Sequence, residues 1–127
     1  HYIHAMTDIT GFGLLGHLVE VCEGSGLSAE INYANIPLLK NISHYASNMI
    51  YPDNTMRNWN SYQDKIEGIG SESFLTLSDP QTSGGLMVCV APQAQHEFET
   101  LCLNHGLALK CFGSMREVNA KTIKITH

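Results

Sequence analysis

Apolar residues recur at helical spacing early in the chain. Leu14, Leu15, Leu18, Val19 and Cys22 fall on one face of a 3.6-residue repeat. Gly24 and Gly26 follow as a stop signal, so the pattern predicts a helix over about residues 12–23. The period then changes to two: Leu27, Ala29, Ile31 and Tyr33 alternate with polar residues, a strand pattern. Pro37 opens a second helical stretch with Leu38, Leu39, Ile42 and Ala46 on one side. Residues 51–65 break the pattern. Tyr51-Pro52-Asp53-Asn54-Thr55 is turn chemistry, and the segment predicts a long loop. Phe74 to Leu77 is a short extended or irregular piece.

Leu86-Met87-Val88-Cys89-Val90 is a nearly continuous apolar run, which predicts a central strand covered on both faces. Pro92 starts a helix with Phe98, Leu101 and Cys102 on its inner face and Gly106 at its end. Leu107, Leu109 and Cys111 alternate again, and Lys121 to Ile125 forms a last short strand after a turn at Asn119-Ala120. The predicted order is β-α-β-α-loop-β-α-β-β. This implies an α/β (α+β) sandwich, a mixed sheet flanked by helices.

The length of 127 residues suits a single domain, 1–127, with its own core. A net charge of −5 with seven Lys and Arg argues against a nucleic-acid partner, which needs a clustered basic face. No apolar run is long enough to span a membrane. The chain begins at His1 with a structured motif a few residues later, so it reads as a piece of a longer protein. Cys22, Cys89, Cys102 and Cys111 form no Cys-x-x-Cys pair and sit among apolar neighbours. They are expected to be buried reduced thiols in a cytoplasmic protein.

Two dense motifs carry the candidate chemistry. The first is Met6-Thr7-Asp8-Ile9-Thr10-Gly11-Phe12-Gly13-Leu14-Leu15-Gly16-His17. Asp8 either caps the following helix or offers one oxygen ligand to a metal. Gly11 and Gly13 allow close backbone approach, and Thr7 and Thr10 suit caps or phosphate contacts equally. His17 is expected about one turn inside the helix, on a face that His4 could approach, but no tight His pair exists and His1, His44, His96, His105 and His127 show no ligand spacing, so a hydrogen-bonded structural role is expected for it. The second motif is Asp79-Pro80-Gln81-Thr82-Ser83-Gly84-Gly85-Leu86. It is either a tight turn or part of a ligand or domain interface. No Walker-type phosphate loop and no Gly-x-Ser-x-Gly elbow is present.

In this order and wording, the two motifs resemble the C-terminal half of the selenophosphate synthetase (selenide, water dikinase) family, a branch of the aminoimidazole ribonucleotide synthetase-like superfamily. The resemblance spans essentially the whole chain. It implies a C-terminal domain that closes over an ATP site, with the catalytic Cys or selenocysteine and most nucleotide-binding acids in an absent N-terminal domain. It implies Mg2+ with Asp8 as a ligand, ATP as substrate, and Thr7, Thr10, Gly11 and Gly13 as candidate cofactor-binding residues. No catalytic residue is then expected within this chain. The implied partners are selenide, ATP, the protein's own N-terminal domain and a second subunit in a homodimer. Pro52-Asp53-Asn54-Thr55 departs from the Pro-Gly-Gly-Thr usual in that family. Asp and Asn tolerate the left-handed conformation, so the turn is expected to survive, but Asp53 disfavours a phosphate contact there. The competing expectations are a non-catalytic interaction domain and a related ATP-dependent enzyme with another substrate.

Overall fold

A computed structural model describes residues 2–127. His1, counted above among the histidines without ligand spacing, lies outside the described residues.

The first strand, β1, is Ile3–Asp8, and the predicted first helix is α1, Gly13–Ser25. Leu15, Leu18, Val19 and Cys22 form its buried face, as the spacing requires. Gly26 ends it with φ 67°, and Leu27 N–H reaches back to Cys22 O at 2.9 Å, a Schellman closure that a β-carbon would strain. Strand β2, Ser28–Asn32, follows as expected.

The next segment departs from the expectation. The helix α2 is only Ile42–Ser47, and Pro37 to Asn41 precede it without helical structure. The predicted long loop at 51–65 contains a ten-residue helix, α3, Asp53–Tyr62. Its buried face is Thr55, Asn58 and Tyr62, spaced i, i+3 and i+7. That spacing is helical, but two of the three residues are polar, so a hydrophobic count misses it. Asp53 lies in the first turn, where a negative charge meets the positive end of the helix dipole. Neither Asp53 nor Asn54 has a positive φ, so the left-handed turn expected there is not used.

After the short strand β3, Ile66–Glu67, the chain forms α4, Ser71–Leu77, where a short extended or irregular piece was expected from Phe74 to Leu77. Ser73 Oγ accepts from Gly70 N–H at 2.8 Å and closes the helix start. Strand β4 is Leu86–Val90 and helix α5 is Gln95–Asn104. The alternating Leu107-Leu109-Cys111 segment is not a strand, and Leu107 and Leu109 are exposed. Strand β5, Gly113–Arg116, and strand β6, Ile123–Thr126, complete the fold.

The strands divide into two sheets. One has four strands in the order β3-β6-β2-β5, with β6 parallel to β2 and β3 and β5 antiparallel to β2. The mixed sheet is therefore present. The other is a two-stranded antiparallel ribbon of β1 and β4. The expected central strand is thus one half of a ribbon. Met87 is buried, but Leu86 is exposed.

Ala29, Ile31, Ile123 and Ile125 point from the four-stranded sheet into the core, against α1. Glu30 and Lys124 alternate with them and point outward, the period-two pattern of a strand covered on one face. Of the four cysteines, all free, Cys22 is buried, Cys89 and Cys102 are half-buried and Cys111 is exposed, so the expectation of burial holds fully for Cys22 alone.

Candidate functional site

The two motifs, seventy residues apart in sequence, are joined side by side. Asp8 pairs with Leu86 at the end of the β1–β4 ladder. The ladder then continues past both strands: Ile9 N–H donates to Gly85 O at 2.8 Å, and Gly84 N–H donates to Ile9 O at 2.8 Å. Thr10 O accepts from Gly13 N–H and Gln81 N–H, each at 3.1 Å. These bonds demand close backbone contact, which explains two glycines. A β-carbon on Gly13, whose φ is +69°, would lie 2.8 Å from Leu77 O, and one on Gly84 would lie 2.8 Å from Ile9 O.

Helix α3 clamps this junction. Asn58 Nδ2 donates to Gly11 O at 2.8 Å, within the first motif, and to Ser78 O at 3.0 Å, immediately before the second. Tyr62 OH donates to Phe12 O at 3.2 Å, and burial pushes its phenol up to about 12. Gly16 leaves room for the Tyr62 ring, since a β-carbon there would lie 3.2 Å from Tyr62 Cε1. Trp59 stacks edge-on against Phe74 at 5.4 Å between centroids, tying α3 to α4. Asn58 and Tyr62 are structural keys of the site that the sequence pattern placed in a loop. The available signal was the i, i+3, i+7 spacing of Thr55, Asn58 and Tyr62.

At the lip of the junction is a depression of about 220 Å³, lined by Asp8, Thr10, Thr82, Ser83, Gly84 and Gly85 among others. Asp8 is exposed, and among the described residues its carboxylate makes no hydrogen bond or ion pair. It is not a helix cap: α1 starts at Gly13 without a side-chain cap. The backbone N–H groups of Gly11, Thr82 and Ser83 also take no partner among the described residues. A β-carbon on Gly11 would meet nothing within 4 Å, so this glycine leaves open space where Gly13 fills it. The arrangement offers one free carboxylate beside unpaired N–H donors, a pairing that suits a cation and an anion bound together.

The other predicted residues separate. Thr7 alternates with Asp8 along β1, is half-buried, and donates to Asp8 O at 3.2 Å. Gly13 is buried in the junction between the motifs. His17 is buried and hydrogen-bonded to Thr10 and Glu20, the structural role expected for it. His4 is exposed on β1 and takes no part in these bonds. Asp79 is half-buried next to Gln81, which donates to it; burial raises its carboxyl above the usual range and the Gln81 bond partly offsets this. Arg57 is exposed on α3 with a long contact of 3.4 Å to Asn54 Oδ1. Among the described residues no group of three or more His, Cys, Asp or Glu side chains is placed to hold a metal by itself. Asp8 fits a divalent ion as one ligand of a shared set, because Mg2+ accepts few carboxylates and completes its shell with phosphate and water.

This α/β architecture is that of a known domain class. The chain belongs to the family described as AIR synthase related protein, C-terminal domain, which it matches over residues 1–124. Its relatives include selenide, water dikinases. It is 46% identical to that of Pseudomonas putida over 123 residues, covering 97% of this chain and 36% of the relative. It is 44% identical to that of Aeromonas hydrophila over 114 residues, covering 90% and 33%. The chain thus spans about a third of the length of the curated relatives it matches.

Among solved structures, the thiamine-monophosphate kinase of Stenotrophomonas maltophilia matches with a TM-score of 0.62 at 13% identity, over 98% of this chain and 31% of that one. The Aquifex aeolicus thiamine monophosphate kinase matches at TM-score 0.56 and 15% identity, over 98% and 32%. These show a shared fold.

Proposed function

We propose that this chain is the C-terminal domain of a selenide, water dikinase, and that it completes an ATP and Mg2+ site whose larger part lies in an N-terminal domain. The observation that carries the reading is the free Asp8 carboxylate at the lip of a depression, within a chain 46% identical to a selenide, water dikinase over 97% of its length. The reaction converts ATP, selenide and water to selenophosphate, AMP and phosphate.

Asp8 would hold the metal through a hard oxygen. The free N–H groups of Thr82 and Ser83, which line the depression, would receive phosphate oxygens. When bound, Mg2+ neutralises charge on the transferring phosphate. Asn58 and Tyr62 keep the two motifs in register, which would hold Asp8 and these N–H donors side by side for one ligand. The nucleophile, a Cys or selenocysteine, is supplied by the N-terminal domain, and the whole protein is a homodimer. Four free thiols favour a reducing compartment, which we assign as the cytoplasm.

The test is phosphorus NMR of the full-length parent with ATP, magnesium and selenide under anaerobic conditions. Selenophosphate with AMP and phosphate is expected. ATP consumption that stops at ADP would favour an ATP-dependent relative with another substrate, and no consumption would favour an interaction domain. The chain by itself, with one metal ligand and no nucleophile, is expected not to turn over ATP. Magnesium-dependent hydrolysis by the purified chain would sink the split-site reading.

A further inference from the structure

The outer face of the β1–β4 ribbon breaks a rule that the four-stranded sheet obeys. Directly opposed residues of an antiparallel pair project to the same side. The register sets Met6 opposite Val88 and Asp8 opposite Leu86. A bulge between Ile3 and Ala5 shifts the alternation, so Ile3 falls opposite Val90 and joins this side too. The other side carries Ala5 opposite Cys89 and Thr7 opposite Met87, and Met87 is buried in one cluster with Leu15 and Leu18 of α1. The outer side is therefore Ile3, Met6, Val88, Val90 and Leu86, all apolar, with Asp8 at one end. Ile3, Met6 and Leu86 are exposed. The outward face of the four-stranded sheet, by contrast, carries Glu30, Ser114, Arg116 and Lys124, as a face left in water should.

We propose that the outer face of the ribbon is the seat of the protein's own N-terminal domain, so that Asp8 lies at the edge of a dry interdomain contact. The inference rests on the two-domain reading above and names the surface that joins the two parts. Three observations converge on it. The face is apolar apart from Asp8, and an exposed apolar patch of this kind marks an interaction surface. It runs without a break into the depression, because Asp8 and Leu86 belong to both. A body that completes a ligand set around Asp8 must therefore approach the same side. The chain spans only about a third of the length of its curated relatives, which leaves a body large enough to cover the face. Covering Met6 and Leu86 would also remove water beside Asp8, and a lower local dielectric strengthens the pull of its carboxylate on a cation.

Met6 is a built-in reporter, since an accessible thioether is oxidised to the sulfoxide and a covered one is spared. The experiment treats the full-length parent, without nucleotide, with dilute hydrogen peroxide and follows each methionine by peptide mass spectrometry. Met6 is expected to oxidise at least about tenfold more slowly than free methionine in the same solution, although this domain by itself leaves it exposed. Met87, buried in the core of this domain, reports whether the fold is intact. Leu86→Lys, at an exposed position on the same face, is expected to bring the Met6 rate several-fold closer to that of free methionine while Met87 stays protected.

A parent in which Met6 oxidises as fast as free methionine, with Met87 protected, overturns the proposal; this measurement needs no variant to fold. Protection that disappears on dilution assigns the face to a second copy of the chain, and protection that requires AMPPCP and Mg2+ assigns it to the nucleotide; either overturns the proposal as well. Selenophosphate production with an unprotected Met6 would remove the seat and leave the reaction standing. A protected Met6 in a parent that makes no selenophosphate would leave the seat and remove the reaction, so the two failures are distinct.

Discussion

The four-stranded sheet and the β1–β4 ribbon are built from similarly apolar strands and end with opposite burial. In the sheet, Ala29, Ile31, Ile123 and Ile125 are all within 4% of complete burial. In the ribbon, Met6 is 59% exposed and Leu86 is 65% exposed, although Met87 beside it is buried. The sheet is held by side chains removed from water on one face. The ribbon is held by backbone bonds that run on past its ends into the two motifs, and by the α3 side chains that fasten those motifs. Stability is therefore concentrated in the sheet and candidate chemistry at the ribbon's end. A substitution in one region should leave the other's property largely intact.

The sharpest way to break this division is Asp8→Asn in the full-length parent. Selenophosphate production, followed by phosphorus NMR, should fall by about a thousandfold, roughly 4 kcal/mol of transition-state stabilisation. Thermal unfolding should not change, because Asp8 is exposed and unpaired among the described residues. Normal turnover in this variant would falsify the metal role.

Ile123→Ala is the converse. Ile123 is fully buried at the centre of the four-stranded sheet. The substitution should cost about 3–4 kcal/mol in chemical denaturation, through lost transfer energy and the cavity left behind. A cost under about 1 kcal/mol would mean that the sheet is not the core.

Next in size is a pair of glycine substitutions within one motif. Gly13→Ala should destabilise by about 2–3 kcal/mol, since its φ is +69° and the new β-carbon meets Leu77 O at 2.8 Å. Gly11→Ala should leave stability within about 0.5 kcal/mol, because open space surrounds it. Equal melting temperatures for the two variants would contradict the distinction between a packing glycine and an open one.

The smallest expected effect is alkaline. Burial first, and then the neighbouring Cys89 and Glu23, push the Cys22 thiol from 9.0 to about 11. The unfolded thiol releases its proton before the folded one does, so the folded state is disfavoured as pH rises from 9.0 toward about 11. At about pH 10 the loss should be about 1 kcal/mol, and Cys22→Ala should flatten that part of the stability profile. An unchanged slope in the alanine variant would assign the alkaline loss elsewhere.

Much of this was legible in the chain. Leu15, Leu18, Val19 and Cys22 announce α1, Gly26 announces its end, and the alternation at residues 28–32 announces β2, because hydrophobic period and left-handed glycines are local properties. Asp8 was legible as a candidate from its neighbours. Helix α3 was not, because its buried face consists of Thr55, Asn58 and Tyr62, whose burial is made tolerable by partners distant in sequence. Asn58 serves Gly11 O and Ser78 O, 47 and 20 residues away, and no local pattern encodes that. The same is true of β4. Its five apolar residues call for burial, but whether a strand lies mid-sheet or in a ribbon depends on which other strands reach it. Local periodicity settled which segments become helices and strands where one face is apolar. The joining of the two motifs, the clamp by α3 and the half-burial of the ribbon were decided by long-range hydrogen bonds and packing, which exist only once distant segments meet.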